Sequence, residues 1–450
     1  MKNLWGKILT CVISGAIAIS SVGCAGTKDV AQTDAKPGTE VAAEDTKEEV
    51  KDEAKPEEKV KLNVWNLWTT DADANAKSFS IVLEQYKKEH PNVEIVVDAT
   101  ENEAYKTKLK TAMAANEGPD VFFSWGAGFA QPFVDAGQIL PLDEYLTPEQ
   151  KANLLPSQTS NLTYNDKLYA LPFVSWVGIL YCNKEMFEQN NLKVPDTYEE
   201  LLAAVKGFNA KSIVPISVGA KDGWPLMFFQ NVLALRTAGA DGSNAALEKK
   251  TAFNQPEFIQ SAQLLGDLVK EKAFDEASLA FTQDEAKMAF LNGEVPMHYI
   301  GSWFAGEVQD EKLSLVKDKV VAKNFPSLDG TKGNKDEFLG GAIDCFMVNN
   351  NTPNKEVAVE FAAYVAEHMA KESFMLGAGL PAWKIDTTGL TIDPLVQQMV
   401  DLANTATGFV LAWDTKLSGE AAEKHKTLVQ EVFAGTKTPQ QFVDEMDALK

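Results

Sequence analysis

The spacing of apolar residues between positions 61 and 123 alternates between two periods. Lys61–Trp68 (KLNVWNLW) reads as a strand, and Phe79, Val82, Leu83 and Tyr86 then fall at i, i+3, i+4 and i+7, the stripe of an amphipathic helix. Val93, Ile95 and Val97 alternate as a second strand, Tyr105, Leu109 and Met113 mark a second helix, and DVFF (Asp120–Phe123) forms a third, apolar strand. Strand, helix, strand, helix, strand in this order predicts a parallel sheet, whose ligands gather beyond the carboxyl ends of its strands.

The same patterning recurs downstream. Thr197 and Glu200 have capping-box spacing, and Tyr198, Leu201, Leu202, Val205 and Phe208 share one helical face. Near the end, Thr438-Pro439-Gln440-Gln441 supplies a cap, a first-turn proline and a third-position glutamine, while Gly435 closes the preceding helix. No internal repeat of short period is visible. The roughly 390 residues after position 60 suit two α/β lobes better than one sheet, with the crevice between them as the default ligand site.

The first 60 residues read differently. Lys2 and Lys7 precede an apolar run, Ile8–Ser20, too short to span a bilayer, so residues 1–23 are expected to be a signal peptide. Ser21-Val22-Gly23-Cys24 resembles the lipobox of bacterial lipoproteins, with serine where leucine is usual; that resemblance implies lipidation of Cys24, the alternative being ordinary secretory cleavage with Cys24 incidental. Acyl chains at Cys24 would anchor the chain to a membrane without a transmembrane helix. Residues 24–60 hold no aromatic side chain and almost no aliphatic one, the composition of a disordered acidic tether.

Charge and composition narrow the partners. A net charge of -22 makes nucleic acid and anionic lipid poor ligands. Arg236 is the only arginine, so a site built on guanidinium forks for anions is not expected, although lysines remain as point charges. Beyond Cys11 and Cys24 the cysteines are Cys182 and Cys345, far apart and without a CxxC; His90, His298, His368 and His425 form no HExxH. Neither a metal nor any other cofactor is expected. His298 lies among apolar neighbours and reads as a core histidine.

Several phrases in order across nearly the whole chain after the tether resemble extracellular solute-binding proteins of ABC importers, specifically their sugar-binding family 1, the maltose and multiple-sugar type. They are GPDVFFSW (Gly118–Trp125) with DAGQILPLDEYL (Asp135–Leu146), YALPFVSWVGILYCNKEMFEQNNLKVPDTYEEL (Tyr169–Leu201), FLNGEVPMHYIGSW (Phe290–Trp303) and GTKTPQQFVDEM near the end. The resemblance implies an α/β, two-lobed type II binding-protein fold with three inter-lobe crossings, near Leu171–Trp176, Phe325–Phe338 and His368–Gly379. It implies an N-terminal lobe of residues 61–172 plus 332–375 and a C-terminal lobe of 173–331 plus 376–450, closing on ligand by a hinge. It further implies a monomeric, non-enzymatic receptor, lipid-anchored on the outer face of the cell membrane, with a carbohydrate ligand and ABC permease subunits as partners.

A sugar presents an apolar face and a rim of hydroxyls, so a receptor needs aromatic platforms and carboxylate or amide acceptors. Charge-assisted bonds of about 1.5–3 kcal/mol each make micromolar affinity, about -8 kcal/mol, reachable with a handful. Trp68 and Trp125 stand at the ends of predicted strands and Trp176 at the first crossing. By the resemblance, Trp303 in GSW stacks on sugar, with Gly301 admitting the ligand close to the backbone; Trp413 matches another stacking position, with Asp414 beside it. Asp222, in the loop GAKDGWPL, is a candidate acceptor or a turn former, and Trp224 a wall. Asn66, Glu101 and Glu103 line the cleft or serve turn and N-cap chemistry. GAGLPAWK (Gly377–Lys384) matches GxGxxA only formally, since it follows a helix, and reads as a lobe connection bringing Trp383 near the cleft. Two other classes stay open: a surface glycoside hydrolase using paired carboxylates, and a receptor for a cationic solute such as a polyamine.

Overall fold

The computed structural model describes residues 59–449. The expected signal peptide, the lipidated Cys24 and the tether up to residue 58 lie outside the described residues.

The first sheet forms where the strand pattern predicts it. Val60–Asn66 lies between Val93–Ala99 and Val121–Trp125, parallel to both. The intervening helices, Ala74–Glu89 and Asn102–Ala114, bury the anticipated stripes, Phe79, Val82, Leu83 and Tyr86 on one and Tyr105, Leu109 and Met113 on the other. Asp344–Val348 then adds antiparallel to Val121–Trp125, and Ala170–Pro172 closes the sheet beyond it. The helix Lys355–Met375 packs on Ala74–Glu89 over this sheet and completes one core.

The second sheet is organised by a single long strand, Val174–Asn183. It pairs antiparallel with Met297–Gly301, Val320–Lys323, Glu337–Gly341 and Leu380–Pro381. Ile216–Ser217 and Gly408–Val410 add parallel to the outer members. The helix Trp224–Leu247 is buried along most of its length beneath this sheet, breaking at Gly239 with φ 75°. Of the two capping boxes, Thr438–Gln441 forms in full. At Thr197 only the threonine half forms, because the Glu200 carboxylate accepts from the Asp196 N–H at 2.8 Å instead.

The chain passes between sheets at Phe173, where Ala170–Pro172 gives way to Val174–Asn183, and again at Ala342–Ile343, between Glu337–Gly341 and Asp344–Val348. These passages run side by side as an antiparallel ribbon, with Gly341 opposite Trp176 in one sheet and Cys345 opposite Pro172 in the other. Gly340 makes this possible: at φ 138° a Cβ there would sit 2.1 Å from the Trp176 carbonyl oxygen. A further passage follows the helix Lys355–Met375 into Leu380–Pro381.

Two expected boundaries move. Phe325 and Phe338 both lie in the second core and Glu337–Gly341 belongs to the second sheet, so the middle passage falls about ten residues beyond position 332. After Pro381 the chain turns back into the first core: Trp383 is 1% exposed there and its Nε1–H donates to the Pro172 carbonyl at 2.6 Å. Residues 376–450 therefore do not all join the second lobe, and Trp383 is a strut between layers rather than a cleft wall. Cys182 and Cys345 are buried and free, one in each core.

Arg236, the lone arginine, is a structural fastener. Its guanidinium, 1% exposed, donates to the carbonyls of Phe325 (2.8 Å), Pro326 (3.2 Å), Asn334 (3.1 Å) and Glu337 (3.1 Å), gathering the 325–337 loop beneath the second sheet. Burial holds its pKa down at about 10, still charged at neutral pH. Arg236→Met should strand several buried carbonyls and cost at least about 3 kcal/mol in urea unfolding; a loss below about 1 kcal/mol would show that the loop holds without it.

Candidate ligand cleft

The facing ends of the two sheets enclose a cleft of about 920 Å³. Five tryptophans line it, in two groups. On the first lobe, Trp68 follows the strand Val60–Asn66; its backbone N–H donates to Asn66 Oδ1 at 3.0 Å, and its ring packs against Phe79 and Phe123 at 5.4 Å. Trp125 ends its strand edge-on to Phe123 and Phe129, both at 5.0 Å, with Lys106 Nζ 5.1 Å over its ring. On the second lobe, Trp176 lies flat on Phe228 (5.2 Å, 11°) and meets Trp303 edge-on at 5.1 Å. Trp224 packs beside Phe228 at 5.3 Å and Trp303 at 6.4 Å. Trp68 and Trp176 are buried and support the walls, whereas Trp125, Trp224 and Trp303 are half-buried and keep part of their rings toward the cleft.

Gly301 has a different task from the one expected. A Cβ there would lie 1.9 Å from the Trp303 ring, so the glycine makes room for the platform itself. Asp222 lines the cleft; its carboxylate accepts the Gln283 N–H at 2.7 Å, and burial raises its pKa against that bond. Asp414 also lines it, its pKa raised by burial against the opposing pull of Lys106 and Lys426. Glu101 combines both readings, capping the helix Asn102–Ala114 while lining the cleft.

Three other candidates do not line the cleft. Asn66 is buried under Trp68 as a turn acceptor. Glu103 is drawn to Lys106 at 2.7 Å. Trp413 is fully buried, stacked on His425 at 5.1 Å and packed against Phe253 at 5.2 Å, so it braces Asp414 from behind instead of meeting a ligand. His298 is a core residue: burial lowers its pKa to about 4, its Nδ1 faces the Ser217 carbonyl at 3.1 Å and its Nε2 faces Gln283 Nε2 at 3.1 Å.

The cleft also holds residues that the sequence patterns did not single out. Lys287 pairs with Glu307 at 3.0 Å and with Asp284 at 2.8 Å, and burial pushes Glu307 to about 7. Asp73 caps the helix Ala74–Glu89 at the rim. Asp344 opens the strand Asp344–Val348 on the ribbon that passes between the sheets. The available signal for Asp344 was the glycine pair Gly340–Gly341 just before it; for Glu307 and Lys287 no local signal existed. Among the described residues no group of three or more His, Cys, Asp or Glu is placed to hold a metal ion, and no helix is long and apolar enough to cross a membrane.

Comparison with known proteins agrees with this architecture. The model of the bacterial extracellular solute-binding protein family matches residues 70–372. A structure solved in work on xylan utilization by the thermophilic bacterium Caldanaerobius polysaccharolyticus superposes with a TM-score of 0.84 at 41% identity, over 86% of this chain and 99% of the other. An uncharacterized ABC transporter extracellular-binding protein of Pyrococcus horikoshii is 26% identical over 90% of this chain and 88% of its own length. The multiple sugar-binding protein of Streptococcus mutans is 23% identical over 72% of this chain and 75% of its own.

Polar ties join the two lobes around the cleft. The Gly128 N–H donates to the Thr415 carbonyl at 2.7 Å, Lys77 pairs with Asp310 at 2.6 Å, and Lys110 and Lys426 approach Glu423 and Glu103 at 3.8 Å and 4.0 Å. The three ion pairs among these ties are individually weak and screened by salt, whereas the backbone bond is not. Raising salt from about 50 mM to about 500 mM should favour the open arrangement, read as a larger radius of gyration of the unliganded protein in small-angle scattering. An unchanged radius would show that these pairs do not hold the lobes together.

Proposed function

The chain belongs to the bacterial extracellular solute-binding proteins, in their sugar-binding family 1, and we propose that it captures a neutral oligosaccharide and delivers it to the membrane subunits of an ABC importer. The observation that carries this reading is the pairing of half-buried tryptophan faces, Trp303 and Trp224 on one lobe and Trp125 on the other, across one cleft rimmed by carboxylates. Aromatic faces take the C–H side of a pyranose, and the carboxylates Asp222 and Asp414 take its hydroxyls. A volume of about 920 Å³ supports a ligand longer than one ring.

On this reading the protein binds without transforming its ligand, acts as a monomer and requires no cofactor. Its lobes are residues 61–172 plus about 343–375 with the Ala382–Trp383 strut, and 174–341 plus most of 384–450. Lipidation at Cys24 would hold it on the outer face of the cell membrane, with the segment up to residue 60 as a leash. A cationic solute is the second reading, favoured by the carboxylates Asp73, Asp222, Asp344 and Glu307 beside aromatic walls.

Calorimetric titration of residues 59–450 with neutral oligosaccharides, xylo-oligosaccharides first because of the 41% identical relative, tests the reading directly. Micromolar binding, weakened at least about tenfold in Trp303→Ala and not displaced by spermidine, is the expected outcome. Binding of spermidine alone would favour the cationic reading, and new reducing ends on incubation would make the protein a hydrolase.

A further inference from the structure

Most cleft carboxylates already have a partner. Asp222 accepts the Gln283 N–H, Asp73 accepts the N–H groups of Asn75 and Ala76, Glu101 caps its helix, and Glu307 pairs with Lys287. Asp414 faces the cations Lys106 and Lys426. Asp344 and Asp414 accept no hydrogen bond and no ion pair among the described residues, but where Asp414 feels Lys106 and Lys426, the charge acting on Asp344 is the negative one of Asp73. The Asp344 backbone is nonetheless fixed, opposite Trp125 in the sheet register and with its carbonyl accepting the Phe173 N–H at 3.4 Å. The side chain lines the cleft together with Trp68, Trp125, Phe173 and Trp176.

A carboxylate facing an aromatic-walled space without a donor is destabilised until one is supplied. Two adjacent hydroxyls on a sugar ring can each donate to one of its oxygens, a planar two-point match that a single-point donor does not make. We propose that Asp344 is the cleft's main acceptor for a vicinal diol of the ligand, a specificity residue seated on the hinge ribbon itself. The proposal rests on the sugar-receptor reading above. Because Asp344 lies between Phe173 and Ile343, where the chain passes between lobes, ligand held there is held at the pivot of closure.

The protonation state of the free protein follows from the same surroundings. Burial, and after it the negative charge of Asp73, push Asp344 to about 7. The cations on neighbouring elements are engaged elsewhere: Lys106 with Glu103, Lys426 with Glu423, and Lys287 with Asp284 and Glu307. The ionised form accepts the diol, so below about pH 7 a proton must leave before the sugar binds. Affinity is then constant above that pH and falls toward tenfold per unit beneath it.

Calorimetry from about pH 5.5 to about pH 8.5, in buffers of different ionisation enthalpy and with the xylo-oligosaccharide bound most tightly in the panel, tests this. The wild type should weaken on acidification and release a proton on binding near pH 6. Asp344→Asn should bind at least about tenfold more weakly at pH 8, with a flat pH profile, and should melt no lower than wild type there, since it removes a buried carboxylate. Wild-type affinity independent of pH, or an Asp344→Asn protein retaining wild-type affinity, overturns the assignment. A slope that survives in Asp344→Asn also overturns it and points to Glu307. Absence of binding by every neutral sugar at every pH overturns the receptor reading, and this one with it.

Discussion

The whole structure depends on one strand. Val174–Asn183 leaves the first sheet through Phe173 and then serves as the common partner of four other strands of the second sheet. Its entry sets the cleft: Phe173, just before it, packs against Trp68 at 5.8 Å, and Trp176, three residues on, supports Trp303. A strand's backbone bonds are perpendicular to its run, so the ribbon that residues 170–177 form with 340–347 can bend at Phe173 and Ala342–Ile343 without losing the ladders on either side. The passages between the sheets and the walls of the cleft are thus made of the same residues, so on the proposed reading occupancy of the cleft would be felt as lobe closure.

The electrostatics follow from that arrangement. Placing carboxylates beside buried aromatic walls raises the cost of their charge, and the two groups pushed to about 7, Asp344 and Glu307, sit where water is scarce. Lysines answer most of this charge, by pairing inside one lobe or by reaching toward the other. The only arginine is withdrawn into the second core to fasten a loop. The cleft that remains favours hydroxyl donors over anions, in keeping with a protein of strongly negative net charge.

Local structure was legible to the extent that it is local. The first three strands, the two helical stripes between them and the Thr438 cap depend on periodicity and neighbouring residues, and they form where those signals lie. The tryptophans at strand ends reached the cleft for the reason expected of parallel sheets. Trp383 and Trp413 did not, because whether a tryptophan faces a cavity or a core is decided by what packs behind it: the Pro172 carbonyl in one case, His425 and Phe253 in the other. The middle passage was misplaced for a related reason, since only pairing with Val174–Asn183 reveals which sheet claims Glu337–Gly341. Glu307, Lys287 and Asp344 come from segments far apart in sequence, and their meeting is a property of the assembled lobes.

The central claim is that one cleft takes a neutral sugar between tryptophan faces and carboxylate acceptors. A crystal structure of the protein grown with the oligosaccharide it binds most tightly tests this most directly. The account predicts a ring stacked on Trp303, with hydroxyls on Asp344 and the lobes closed about the Phe173 and Ala342–Ile343 ribbon. A sugar seated outside the cleft, or one that leaves Trp303 and Asp344 untouched, would contradict it.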